Sequence, residues 1–362
     1  MSLKVYPAKP DFDSMARCLK KESAPERVHF AELYLDGVIK KALCRKFDLE
    51  VDVPHDHPLY DIKLDIMLSE FLGYDLVRVH LPGSEFPMDV VSSASGNSPP
   101  GEKNERGYIV HEQAGPIQNW KDFENYPWPD IQKLDAAPLE WLEKNIPEGM
   151  KAYDLSSQFF ECASWLLGYE SLFMKMYDDP ELIEAVLDKI AEIYFEYNRL
   201  LSDFDCIGAI WGTDDMGFKT QTLVSPEWLK NNILPLHKKA AEIAHRKSKL
   251  YFLHSCGNIE PLMEDLIEDV GIDAKHSFED DVIPVEKFCS KYGDRIGVIG
   301  GVDINFLASA SEDEVRRKVR HILETCHSGG GYCLGSGNSI TDYIPLKNYL
   351  AMLDEGRRFG RD

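Results

Sequence analysis

Positive charge is scarce in this sequence: 40 Lys and Arg stand against 62 Asp and Glu, a formal net charge of -22. That balance excludes a general affinity for nucleic acid or for anionic membrane, because like charges repel. Long apolar runs are missing as well. None approaches the roughly 18 residues that a bilayer-spanning helix needs, and the opening MSLKVYPAKPDFDSMARCLKKES has no signal-peptide core, so a cytoplasmic protein is expected. The eight cysteines include no CxxC pair and no close-set framework, which argues against a disulfide-stapled secreted domain. No GxGxxG follows an early strand, no P-loop pattern occurs, and no repeat or low-complexity tract is visible. These absences remove the common nucleotide-binding and solenoid readings.

What is present is a globular balance, 44% apolar and 28% charged residues over 362 positions. From about residue 150, apolar segments of strand length alternate with amphipathic helices. The strand segments are 151–155, 207–211, 249–254, 272–276, 296–300 and 331–334, with an earlier one at 74–81 closed by Pro82-Gly83. Helix starts are marked by Asp179-Pro180-Glu181, by Ser225-Pro226-Glu227 and by the capping box Ser311 to Glu314, and Gly329-Gly330-Gly331 stops the last of these. Residues 21–72 read as helix-rich around an early apolar segment, 28–33. Residues 88–128 hold many Gly, Pro, Ser and Asn and read as a loop-rich insertion, with a possible hairpin around 108–111. Strand–helix alternation over 200 residues predicts an α/β fold, a parallel sheet covered by helices. Polar residues at the ends of several strands favour a (β/α)8 TIM barrel, a single domain over 1–362 with an irregular N-terminal extension, over an open doubly wound sheet.

The most informative segment is Leu253-His254-Ser255-Cys256-Gly257-Asn258. Residues two apart on an extended strand share a face, so His254 and Cys256 can converge on one point. Imidazole and thiolate together suit zinc. Glu279, after the next strand, offers a carboxylate ligand, and Cys333 in Gly-Tyr-Cys-Leu-Gly-Ser-Gly-Asn offers a second sulfur; a loop charge and a core residue are the alternatives for these two. Asp303 follows Gly300-Gly301-Val302. Asp214 and Asp215, directly after a strand and flanked by glycines, can hold a polar group or act as a base, or else cap a helix. His55 and His57, set between prolines, read as an exposed turn. The aromatic residues near 120–128 and 141 read as anchors of the insertion.

Leu-His-Ser-Cys-Gly, Thr-Asp-Asp-Met-Gly leading into Leu-Val-Ser-Pro-Glu, Gly-Gly-Val-Asp, and Leu-Gly-Ser-Gly-Asn-Ser-Ile ahead of Ile-Pro-Leu-Lys-Asn-Tyr-Leu resemble the uroporphyrinogen decarboxylase superfamily. The resemblance runs from about residue 25 to the C-terminus and is most specific after residue 205. It implies a (β/α)8 barrel, and within the superfamily it is closer to the corrinoid-dependent methyltransferases. Those enzymes move a methyl group between a small substrate and a cobalamin carried by a partner corrinoid protein. Uroporphyrinogen decarboxylases carry an early Met-Arg-Gln-Ala-Gly-Arg segment, whereas residues 25–33 here hold no arginine cluster. The acidic charge also suits an octacarboxylate substrate poorly.

The zinc methyltransferases use a His-x-Cys pair, matched by His254 and Cys256, and a later Cys whose place falls on Asn338. The third ligand is then open between Cys333 and Glu279, and a metal-free site is a further reading. On this resemblance Asp214, Asp215 and Glu32 orient substrate or manage protons, while Asn338, Asp303 and Asp154 contact substrate. A homodimer is compatible with it. The alternatives are a metal-free decarboxylase-like lyase and a non-catalytic pterin or tetrapyrrole binder.

Overall fold

In the computed structural model, which describes residues 9–88, 114–327 and 329–359, eight parallel strands form one curled sheet. They are β1 (His29–Phe30), β2 (Leu76–Arg78), β3 (Lys151–Ser156), β4 (Ile207–Thr213), β5 (Leu250–His254), β6 (Ala274–His276), β7 (Gly297–Ile299) and β8 (Tyr332–Leu334). Their order, β1-β8-β7-β6-β5-β4-β3-β2, is that of a (β/α)8 barrel. β1 closes onto β8 through the register His29 to Cys333 and Phe30 to Leu334. Between β1 and β2 no ladder runs among the described residues, which leaves a seam there.

The strands after residue 150 fall where apolar periodicity placed them. The helix Pro180–Ser202 starts on the Asp179 cap and buries Leu182, Ile183, Val186, Leu187, Ile190 and Ile193 as expected. Ser225 caps Pro226–Asn232, and the Ser311–Glu314 box caps Glu312–Cys326. The segment 28–33 is the exception to the helix-rich reading of 21–72, since it contributes β1. Two residues of strand carry no period to detect. The 108–111 hairpin lies outside the described residues. From the same insertion, Trp128 packs its ring edge-on against Phe86, Phe123 and Tyr126. His55 stands in an exposed turn.

The barrel interior is filled by side chains. Trp211 and Phe252 from β4 and β5 meet Tyr153, Ala274, Ile299 and Cys333, and the N-terminal helix Phe12–Leu19 pushes Phe12, Met15 and Leu19 against them. That helix reaches the loops that precede strands: Phe12 N–H donates to Gly149 O, and Gly331 N–H donates to Cys18 O. Gly149 has φ +81°, and a Cβ there would lie 2.1 Å from Pro10 O, so only glycine admits the approach. With its N-terminal face plugged, the barrel presents its other face, the strand C-termini, as the place for chemistry.

A candidate metal centre at the barrel mouth

β5 ends at His254, with Cys256 two residues on, and β4 ends one residue before Asp214. His254 Nε2, Cys256 Sγ and an Asp215 carboxylate oxygen all lie within 4.8 Å of one another. His254 Nε2 is 3.3 Å from the sulfur and 3.6 Å from Asp215 Oδ1. Asp215 Oδ1 accepts the Cys256 N–H at 2.8 Å, which ties the two strand ends together. The loops touch here: a Cβ on Gly257 (φ +73°) would stand 2.4 Å from the Gly217 carbonyl carbon. Glycine at both positions lets the carboxylate and the thiol approach.

Two donors point at the sulfur, Asn338 Nδ2 and Ser277 Oγ, each at 3.3 Å. Burial first, then the Asp215 charge, pushes the Cys256 thiol well above its ordinary value. Burial pushes His254 down to about 4, so its imidazole is neutral across the physiological range. Burial, with Asp215 and Asp214 adding to it, raises the Glu161 carboxyl well above the usual carboxylate range. Lys275, fully enclosed, donates to His276 O at 3.1 Å and Ser277 O at 2.6 Å, and burial brings it down to about 8.

The donor set fits a divalent metal. A nitrogen, a sulfur and an oxygen converge, and two hydrogen-bond donors face the sulfur. Three protein ligands leave one position open, as catalytic zinc requires. The residues of this group that could hold a metal ion are His254, Cys256 and Asp215.

The other expected residues are distributed differently. Glu279 stands at the rim, accepting the Gly257 N–H at 3.2 Å, outside the group of three. Cys333 lies within the inner apolar cluster with Phe12 and Met15, and it is not brought to the metal group. Asp214 turns away from Asp215. It accepts the Phe160 and Glu161 N–H groups at the start of helix Phe159–Leu167 (3.1 and 2.7 Å) and pairs with His237 Nε2 at 2.9 Å. Asp303 caps the helix Ile304–Ser309 and accepts the Asp280 N–H. Asp154 is buried against Tyr197 and stands 3.6 Å from Arg78 Nε.

Glu32 lies on the far side of the mouth, after β1. It accepts the Ser336 N–H at 2.9 Å and bonds the Ser336 hydroxyl, and burial raises its carboxyl to about 8. It also lines a cavity of about 380 Å³ at the β1–β2 seam, shared with Tyr34, Lys40, Asp65, Arg78 and Tyr153. Arg78 Nε has no hydrogen-bond partner there. Arg27, the arginine of the 25–33 segment, is engaged elsewhere, paired with the buried Asp75 that also binds His29.

Reasoning from sequence missed four groups: Glu161, His237, Lys275 and His276. His276 had a usable signal, since it ends the strand after His254 and lies beside it in register. Glu161 had one too, as the one charged residue of the apolar segment Phe159–Leu167, whereas His237 had none, since it sits within the helix Leu234–His245 and meets Asp214 only in three dimensions.

The fold and this site define a parallel barrel with a nitrogen, sulfur and oxygen donor group at its C-terminal mouth. The chain belongs to the uroporphyrinogen decarboxylase (URO-D) family, whose profile matches residues 155–359, more than half of its length. Among solved structures it is similar to a methyltransferase from Methanosarcina mazei, with a TM-score of 0.69 and 18% identity over 96% of this chain and 98% of that one. A B12-independent methionine synthase from Shewanella sp. W3-18-1 has a TM-score of 0.46 and 12% identity over 83% and 86%. None of the curated protein sequences compared with it matches. No helix among the described residues is long and apolar enough to cross a membrane.

Proposed function

We propose that this protein is a zinc methyltransferase that moves a methyl group between a small substrate and a corrinoid carried by a partner protein. The observation that carries this reading is the convergence of Asp215, His254 and Cys256 at the barrel mouth. The family is shown by its profile, and one similar structure is a methyltransferase.

A zinc ion held by these three residues would supply Lewis acidity to the heteroatom that surrenders or accepts the methyl group. The chain itself does the rest. Asn338 and Ser277 hold the Cys256 sulfur in place from two sides. Glu161, whose carboxyl burial raises beside Asp215 and Asp214, would be the group to give a proton to the oxygen or nitrogen that parts from the methyl group. Glu32 and Arg78 offer the body of the substrate a neutral acid and a guanidinium at the seam cavity.

The test joins metal content to cobalt spectroscopy. Protein purified without chelator is expected to hold about one zinc per chain, lost in His254→Ala and Cys256→Ser. Methylated substrate is expected to change the absorbance of a corrinoid carrier. Zinc-free wild type that retains full activity would sink the metal role.

The raised Glu161 carboxyl beside Asp215 also favours a second reading, a metal-free lyase in which Glu161 protonates a carbanion. Carbon dioxide release with no corrinoid change would select it.

A further inference from the structure

His254 and His276 meet nitrogen to nitrogen, Nδ1 to Nδ1, at 2.8 Å. A contact this short holds one proton, so one ring donates and the other accepts. The opposite edge of His276 decides which. Its Nε2 faces the Ser336 carbonyl at 3.4 Å, and a carbonyl oxygen only accepts. His276 Nε2 therefore carries a proton, its Nδ1 bears the lone pair, and His254 Nδ1–H donates into it. His254 Nε2 is left bare, 3.3 Å from Cys256 Sγ and 3.6 Å from Asp215 Oδ1.

The reverse arrangement would oppose two lone pairs between His276 Nε2 and the carbonyl in a fully buried place, and would aim a proton at the metal position.

The surroundings are built around this contact. The His276 ring is wedged edge-on against Trp211, centroids 5.3 Å apart. Ser336 is clamped by Glu32 through both its N–H and its hydroxyl. Gly300, at φ +82°, passes so close that a Cβ would lie 2.2 Å from Ser336 O and 3.0 Å from His276 Nε2.

We propose that His276 is a positioning residue that locks His254 as the Nδ1–H tautomer, so that Nε2 presents its lone pair to a thiophilic divalent cation. Glu32, Ser336 and His276 form the support that carries this constraint from the first and last strands to the metal group. The inference rests on the metal reading above for its purpose, and on geometry alone for its content.

Two measurements separate the two. In the first, long-range 15N–1H correlation on the metal-free full chain, with His254 assigned through a His254→Gln variant, reads the tautomer directly. A protonated Nδ1 and bare Nε2 are expected, and a protonated Nε2 overturns the proposal whether or not zinc binds. In the second, zinc affinity is measured by competition with a chromophoric chelator. His276→Leu removes the acceptor and is expected to weaken zinc 10–100-fold, the range for lost supports of metal-bound histidines. His276→Asn places an oxygen where Nδ1 was and is expected to bind within about threefold of wild type. Equal weakening by Asn and Leu, or none by Leu, defeats the proposal. Wild type that binds no zinc refutes the metal reading, and the tautomer measurement then decides this inference by itself.

Discussion

Asn338 Nδ2 donates to Cys256 Sγ across 3.3 Å, joining residues 82 positions apart in the chain. This is the place where the resemblance puts a further cysteine ligand. The contact puts position 338 within reach of the metal group, with an amide where a thiolate could stand. Asn338→Cys is therefore expected to tighten zinc binding at least tenfold under reducing conditions, because a second thiolate is a stronger zinc ligand than an open position. Chelator competition measures it. Unchanged affinity would show that position 338 does not face the ion.

Asp214 and Asp215 are neighbours with opposite tasks, and substitution should separate them. Asp214 is fully buried, holds two helix N–H groups and pairs with His237. Its replacement by Ala leaves those donors unpaired and is expected to cost about 3 kcal/mol or more in denaturant unfolding. Asp215→Ala is expected to abolish stoichiometric zinc with a stability change under about 1 kcal/mol. Equal loss of stability in both would contradict the division.

Cys333 is expected to behave as a core residue. Cys333→Ala should leave metal content unchanged and cost on the order of 1 kcal/mol, the cavity left by a small buried side chain. Elemental analysis beside a denaturation curve checks both parts, and lost zinc would return Cys333 to the ligand set.

Glu32 makes stability depend on pH in a calculable direction. Its folded value, about 8, lies above the ordinary 4.5, so folding takes up a proton. The stabilisation it gives is fully present below about pH 4.5 and disappears as pH rises through 8. Glu32→Gln keeps the acceptor for Ser336 and removes the titration. Relative to this variant, wild type is expected to lose up to about 1.4 kcal/mol per pH unit between those limits. Parallel pH profiles of unfolding midpoints would contradict the buried neutral acid.

The sequence was readable where one element carries the whole signal. The two-residue spacing of His254 and Cys256 pointed to a shared face, and the pair does converge, although β5 ends at His254 and Cys256 lies just beyond it. The strands after residue 150 were readable for the same reason, each being apolar and bounded by turn residues. Reading failed where a role depends on a distant partner. Asp214 and Asp215 are alike in composition and flank, yet a helix start and a histidine 23 positions on claim the first. Cys333 sits in a glycine-rich strand end that resembles a ligand loop, and only the plug formed by Phe12 and Met15 shows that its side chain faces an apolar interior. β1 was invisible because two residues are too few to display a period.

The clamp between Glu32 and Ser336 spans 304 positions of sequence. Glu32 lies just past the first strand and Ser336 just past the last, so this bond forms only in a chain that carries both ends of the barrel. Burial of Glu32 becomes affordable only when the C-terminal segment arrives. Closure of the ring through this bond is thereby tied to the presence of the C-terminal segment.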